Sequence, residues 1–254
     1  MGNLEIIQNF QSNGYLKFKL FSKKDIKHLK DKLLIKINYL LKKKNINLKI
    51  SKLKYYHKQI INDNFHSKLM NPNERFLLLD KPIVSKLKNK KMKSLLNLLW
   101  GHKFYKVTWI GDLRKKQIKF NATGFRIARP ENSKVKDVAD MHLDLNAGGI
   151  INRNNYNSLI TIWIPLEGFN KKYTLNIAPG SHLYRHENCY KKSNKISVLL
   201  TKSYCKKYKF KRLEMKPGEV IFFHPNLIHG GSKNLGKFTR VSLDVRLINL
   251  FQFK

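Results

Sequence analysis

From Arg240 to Leu247 the chain alternates without a break. Val241, Leu243, Val245 and Leu247 fall on one side, and Arg240, Ser242, Asp244 and Arg246 on the other. Period-two alternation reads as a β-strand with one apolar and one polar face. Two environments fit such a strand: an ordinary surface position with its charges in water, or the wall of a cavity. A polar inward face in a small barrel costs several kcal/mol unless it is paired or wet, so the second environment points to a functional lining. Neither is chosen by the strand alone.

Other segments share this texture. Residues 104–110, 124–128, 159–166, 173–177, 220–224 and 240–248 are rich in β-branched and aromatic side chains and bounded by Gly, Pro and Asn. Many short strands without intervening helices indicate an all-β barrel or sandwich. Residues 1–100 read differently. Ser22 with Asp25 three residues later resembles a helix N-cap, and Ile26, Leu29, Leu33, Ile37 and Leu40 then recur at helical spacing with lysines opposite. That pattern suits a helix packed on a core better than one lying on a membrane. A second helix is expected from Pro82 to about Trp100, with Asn71-Pro72-Asn73 as a turn between helices. The expected architecture is mainly β with flanking helices (α+β), in one domain over residues 1–254. Within it about 1–100 form a mostly helical elaboration and about 101–254 the β-core.

No run approaches the ~18 apolar residues of a membrane span, and the first ten residues lack a signal-peptide pattern. Two cysteines, Cys189 and Cys205, are too few for a disulfide framework, which suits a reducing cytoplasm. The formal charge of +36 favours an anionic partner: nucleic acid, anionic lipid or an anionic small molecule. Of 52 basic residues, however, only nine are arginine, the residue that reads phosphates and base edges bidentately. A Lys, Asn and Ile surplus fits coding bias spread over solvated surface.

His142 and Asp144, one residue apart, project to the same side of an extended segment. Eighty-five residues after Asp144, His229 offers a third ligand in a glycine-rich turn. Two histidines and one carboxylate on one face of a metal leave three positions open, which suits Fe(II) chemistry with an oxo-acid cosubstrate and dioxygen. Eleven residues after His229, Arg240 stands with Ser242 on the same strand face, able to grip a carboxylate bidentately.

In this order the pieces resemble the Fe(II)- and 2-oxoglutarate-dependent dioxygenases, and most of all the phytanoyl-CoA dioxygenase-like family. The matching pieces are His142-Leu-Asp144, the strand 159–165 with Trp163, the turn Ala178-Pro179-Gly180-Ser181-His182, the stretch from Gly218 to His224, His229-Gly230-Gly231, and Arg240-Val-Ser242. They cover about half the chain. The resemblance implies a double-stranded β-helix (jelly-roll, cupin-like) core with iron on His142, Asp144 and His229. It also implies 2-oxoglutarate on Arg240, Ser242 and Trp163, dioxygen as co-oxidant and ascorbate as an accessory reductant. Where the family often has serine two residues after the distal histidine, this chain has Gly231, with Ser232 next. Asp144 is present, which excludes the halogenases that need that carboxylate missing.

Around this set, Arg126 and Arg129 would lie on opposite faces of a strand, one meeting an anionic substrate or the cosubstrate and the other exposed. His224 and Arg246 are further candidates for the substrate pocket. His182 belongs to the turn, outside the metal shell. Asp244 and Arg246 either pair or line the pocket, and Glu131, Asp137 and Asp140 are expected on a loop over it. The reaction implied is hydroxylation of a small molecule with release of succinate and CO2. Two alternatives stand beside it. Some nucleic-acid demethylases of the superfamily share an Arg-x5-Arg pattern, matched by Arg240 and Arg246, although the spacing from His229 fits the small-molecule branch better. A non-catalytic ligand-binding barrel would need neither the triad nor Arg240. Substrate identity and oligomeric state have no signal in the sequence.

Overall fold

Residues 3–71, 73–110, 118–131, 137–144, 159–186, 189, 199–230 and 232–249 are described by the computed structural model. Its first hundred residues supply six α-helices among those described: α1 (Asn3–Asn13), α2 (Lys23–Lys43), α3 (Tyr56–Gln59), α4 (Asp63–Leu69), α5 (Lys81–Leu87) and α6 (Lys90–Trp100). A short α7 (Lys202–Cys205) comes later. Ser22 starts α2 as expected: its hydroxyl accepts the Asp25 N–H, and the Asp25 carboxylate accepts the Ser22 N–H at 2.7 Å. This reciprocal box satisfies two otherwise orphaned donors. The helix expected from Pro82 to Trp100 is two helices. Asn89 ends the first stretch by capping the second, its side chain accepting the Met92 N–H at 2.9 Å.

Two short strands lie within this helical part, β1 (Tyr15–Lys19) and β2 (Phe76–Leu78); the rest are β3 (Tyr105–Ile110), β4 (Ile118–Phe120), β5 (Ala122–Ala128), β6 (Leu159–Glu167), β7 (Asn176–Ile177), β8 (Lys211–Arg212), β9 (Glu219–Phe223), β10 (His229–Gly230) and β11 (Arg240–Asn249). The strand expected over 173–177 shrinks to its last two residues. The turn at Asn71 and Asn73 leads into β2 rather than a helix, closed by the Asn73 N–H on the Asn71 side chain; Pro72 lies outside the described residues. Eight strands form one antiparallel sheet in the order β1-β9-β6-β11-β3-β4, with β5 bridging β11 and β2, and β10-β7-β8 form a smaller sheet. β11 is its hub, paired to β6 along one edge and to β5 and β3 in succession along the other, with a bulge between Val241 and Ser242.

Both faces of β11 are covered. Val241, Leu243, Val245 and Leu247 join Ile160, Ile162, Ile164 and Leu166 of β6 and the apolar stripe of α2 in one core. Truncating one such side chain costs about 2–5 kcal/mol. On the inner face Trp163, Ile221 and Phe223 meet Ile177 and Leu227 near the small sheet. The polar residues of β11 share that inner face, so the surface-strand reading fails: Arg240 and Ser242 are buried. The result is the double-stranded β-helix core with a helical N-terminal part. No helix among the described residues is long and apolar enough to cross a membrane.

Candidate iron centre

An antiparallel bridge places His142 directly opposite His229: each backbone N–H donates to the other's carbonyl, at 3.0 and 3.2 Å. Their rings lie 4.3 Å apart. Gly230 makes this approach feasible. At φ 107° it adopts a backbone that L side chains avoid, and a Cβ there would sit 2.7 Å from His142 Nδ1. The ring nitrogens are then assigned by what they meet. His142 Nδ1 lies 2.8 Å from the Asp140 carbonyl, and His229 Nδ1 2.9 Å from the Leu227 carbonyl. A carbonyl only accepts, so both Nδ1 atoms carry the proton and both Nε2 lone pairs are free.

Those lone pairs converge on Asp144, whose Oδ1 lies 3.9 Å from His142 Nε2 and Oδ2 3.8 Å from His229 Nε2. All three donor atoms lie within 4.8 Å of one another. Two donors bonded at ~2.1 Å to one ion can be at most ~4.2 Å apart, so a slight contraction brings the set onto a single metal. Asp144 is oriented by Thr161, whose hydroxyl donates to Oδ2 at 2.5 Å, and by Arg246, whose Nη2 donates to Oδ1 at 2.8 Å. Burial alone would raise this carboxyl, but Arg246, the two imidazoles and Thr161 outweigh it and hold it well below the usual carboxylate range. Burial and the neighbouring His229 push His142 down to about 3. His142 and Asp144 therefore stay in their ligating forms, neutral ring and anionic carboxylate, across the neutral range.

Arg240 stands on the same cavity wall. Its Nη1 donates to the Ser232 hydroxyl at 2.8 Å and to the carbonyls of Ser232 and Tyr173. Nη2 and Nε make no hydrogen bond among the described residues. Ser232, the residue after the expected serine position, thus positions the arginine; Gly231 lies outside the described residues. Ser242 and Trp163 line the same cavity of about 50 Å³, as do Arg126 and Arg246.

Two expected pocket residues lie elsewhere. Arg129 is neither exposed nor in the cavity. It is 5% exposed, clamped by Asp137 and Asp63 and by the carbonyls of Ile60 and Ile61, because the segment between α3 and α4 covers that face of β5. His224 packs against Phe10 and His182 at the joint with α1. Asp244 and Arg246 do not pair with each other: Asp244 takes Arg126 at 3.1 Å, and Arg246 takes Asp144. Asp137 reaches the cavity wall, whereas Glu131 pairs with Lys233. Thr161 had not been singled out, although its parity with Trp163 on the same strand put it on the inner face.

A sequence model of the phytanoyl-CoA dioxygenase (PhyH) family matches residues 10–242, most of the chain. This chain belongs to the phytanoyl-CoA dioxygenase family. Membership and the His142, Asp144 and His229 donor set make it an iron- and 2-oxoglutarate-dependent oxygenase. No curated protein sequence matches this family member. Among solved structures it is similar to the non-heme alpha-ketoglutarate-dependent carbocyclase SnoK from nogalamycin biosynthesis, at 13% identity and TM-score 0.59 over 98% of this chain and 84% of that one. AviO1 from Streptomyces viridochromogenes Tue57 aligns at 13% identity and TM-score 0.58, over 98% and 96% of the two chains. EctD from S. alaskensis, solved with 2-oxoglutarate and 5-hydroxyectoine, aligns at 14% and 0.54, over 99% and 77%. At these identities the likeness is one of fold.

Proposed function

We propose that this dioxygenase hydroxylates a small, anionic molecule, with Fe(II) held by His142, Asp144 and His229 and 2-oxoglutarate held by Arg240. The observation that carries this reading is the pair of Nδ1–carbonyl contacts, which leave both Nε2 atoms free to face one carboxylate. Bound iron and 2-oxoglutarate supply the oxidising power: dioxygen delivers one atom to succinate, as CO2 leaves, and one to a substrate C–H, giving an alcohol.

The chain's own residues do the rest. Arg240, pre-set by Ser232 and Tyr173, offers its free guanidinium edge to the far carboxylate of 2-oxoglutarate. Ser242 and Trp163 bound that place, Ser242 with a hydroxyl and Trp163 with an apolar wall. Thr161 and Arg246 keep Asp144 oriented, and the buried Phe223 helps exclude water from the His229 ring, 4.5 Å away between centroids.

Cavity composition also weighs on the alternatives. No lysine lines the cavity among the described residues, so the surplus of lysine is not gathered where a nucleic-acid strand would have to enter. A binding barrel gives no reason for two histidines tautomerised toward a carboxylate. Cys189 and Cys205 form no disulfide among the described residues, which fits a reducing cytoplasm. The shared core of α2, β6 and β11 supports reading residues 1–254 as one domain.

The test is succinate formation from 2-oxoglutarate under air, with and without Fe(II). Iron-dependent succinate in the wild type, abolished by His142→Ala, is expected. Arg240→Ala should weaken 2-oxoglutarate binding by about 1.5–3 kcal/mol, roughly 10–150-fold. Absence of both succinate and Fe(II)-dependent 2-oxoglutarate binding would remove the oxygenase reading.

A further inference from the structure

Beside the iron-binding triad lies a second, smaller cavity of about 40 Å³, walled by Arg75, Arg126, Arg246, Asp244 and Trp109. It shares Arg126, Asp244 and Arg246 with the triad cavity, so the two adjoin across these side chains. Its space is several times the ~10–15 Å³ that one water needs. Three guanidinium groups face a single acid here. Asp244 is committed to Arg126 at 3.1 Å. Arg246 spends Nη2 on Asp144, a carboxylate that a bound metal would also draw on, and its buried Nη1 has no hydrogen-bond partner.

Arg75 is the least explained of the three. It precedes β2, with its carbonyl accepting the Phe125 N–H. Among the described residues its guanidinium has no hydrogen-bonded or ion-paired acceptor, although it is only partly exposed. Burial, with Arg126 and Arg246 adding repulsion that Asp244 only partly offsets, pushes it down to about 9. Like charges gathered out of water are unfavourable unless something anionic joins them. Arginine is also the cation whose planar fork matches carboxylate and phosphate oxygens.

We propose that Arg75, Arg126 and Arg246 form an anion subsite beside the iron centre, which seats a carboxylate or phosphate group of the substrate. This rests on the oxygenase reading and adds to it a recognition element from the helical part of the chain. Arg75 is then a specificity-determining residue. It reaches the site from the segment before β2, while Arg126 and Arg246 come from the sheet, so the anion ties the two parts together. The substrate's oxidised carbon would lie on the triad side of Arg246, its anionic end on the Arg75 side.

The experiment uses the full chain, loaded anaerobically with Fe(II) and saturating 2-oxoglutarate so that Arg240 is occupied. Inorganic phosphate and, separately, acetate are titrated by calorimetry into wild type, Arg75→Gln and Arg75→Lys. One equivalent of at least one anion should bind the wild type, at least tenfold more weakly to Arg75→Gln and with intermediate strength to Arg75→Lys. Affinity for 2-oxoglutarate should stay within twofold. Preference for phosphate or for acetate tells which group the substrate carries. The proposal is overturned if neither anion binds the wild type, or if Arg75→Gln binds as the wild type does, which is what the many surface lysines alone would give. Thermal melts without anion guard against a folding defect. Removing an unpaired, partly buried cation should raise the melting temperature in Arg75→Met; a drop in both Arg75→Met and Arg75→Gln would mark Arg75 as a structural residue and overturn the assignment. Failure of the oxygenase reading shows separately, as loss of Fe(II)-dependent 2-oxoglutarate binding in the wild type, and leaves the Arg75-dependence of anion binding readable.

Discussion

Two pairs of histidines meet in this molecule, and only one of them is built for a metal. His142 and His229 have ring centroids 4.3 Å apart; His182 and His224 are 5.3 Å apart. Each pair has a positive-φ glycine pressed against one ring, Gly230 on His142 and Gly14 on His182. The proton positions differ. In the first pair both Nδ1 atoms donate to carbonyls, so both Nε2 atoms are bare and turn to Asp144. In the second, His182 spends Nε2 on the Gln11 carbonyl, and His224 uses Nδ1 to accept the Asn226 N–H, which leaves its proton on Nε2. Backbone groups, two residues away for His142, His229 and His224 and on α1 for His182, decide which pair can coordinate, not the imidazoles themselves. The second pair is a joint: the His224 N–H donates to the Gly14 carbonyl, and Phe10 of α1 packs on the ring.

The difference can be tested from the strongest effect downward. His142→Ala or His229→Ala should lower Fe(II) affinity by more than the roughly 10–100-fold that loss of an outer partner causes, whereas His182→Ala should leave it unchanged; equilibrium dialysis of Fe(II) decides. A fall with His182→Ala would erase the distinction. Thr161→Val keeps the shape of a buried strand residue but removes the 2.5 Å bond to Asp144, so Fe(II) affinity should fall roughly 10–100-fold with the fold retained. The joint should matter to stability instead. Burial, then His182 beside it, lowers His224 to about 3. Its folded value lies below the unfolded ~6.5, so the unfolded chain binds the proton first and stability declines as pH falls below about 6.5 toward 3. Between pH 7 and 5 this amounts to roughly 2 kcal/mol. His224→Phe should flatten that limb in urea midpoints read at both pH values. Also confined to stability, Gly14→Ala should cost more than the roughly 1–2 kcal/mol of its left-handed backbone, because its Cβ would stand 2.5 Å from His182 Nδ1; the effect is visible as a lower melting temperature without change in iron binding.

Much of this was legible from the sequence, for reasons that differ by region. β5, β6, β9 and β11 carry long alternations or β-branched runs, so pattern alone located them. β1 and β2 were not legible because each is short and sits among helices, paired to strands more than 40 residues away. The triad could be read because His-x-Asp and the distal histidine keep their spacing through the chain. Arg129 was misjudged because alternation tells which side of a strand a residue takes, but not what covers that side; here the Ile60–Ile61 backbone does. Arg75 had no local signal at all. Its meaning comes from β2 pairing with β5, a contact that only the folded chain makes.

The position of β11 has a consequence for how the protein is made. It follows all three of its sheet partners in sequence, yet pairs with β6, β5 and β3. On a ribosome, β3, β5 and β6 emerge with edges that nothing yet occupies, and such edges invite pairing with other chains. Arg240 and Arg246 arrive only with that closing strand. The cavity is therefore finished in the same step that seals the sheet, and a nascent chain short of β11 has neither a protected edge nor the arginine that anchors Asp144.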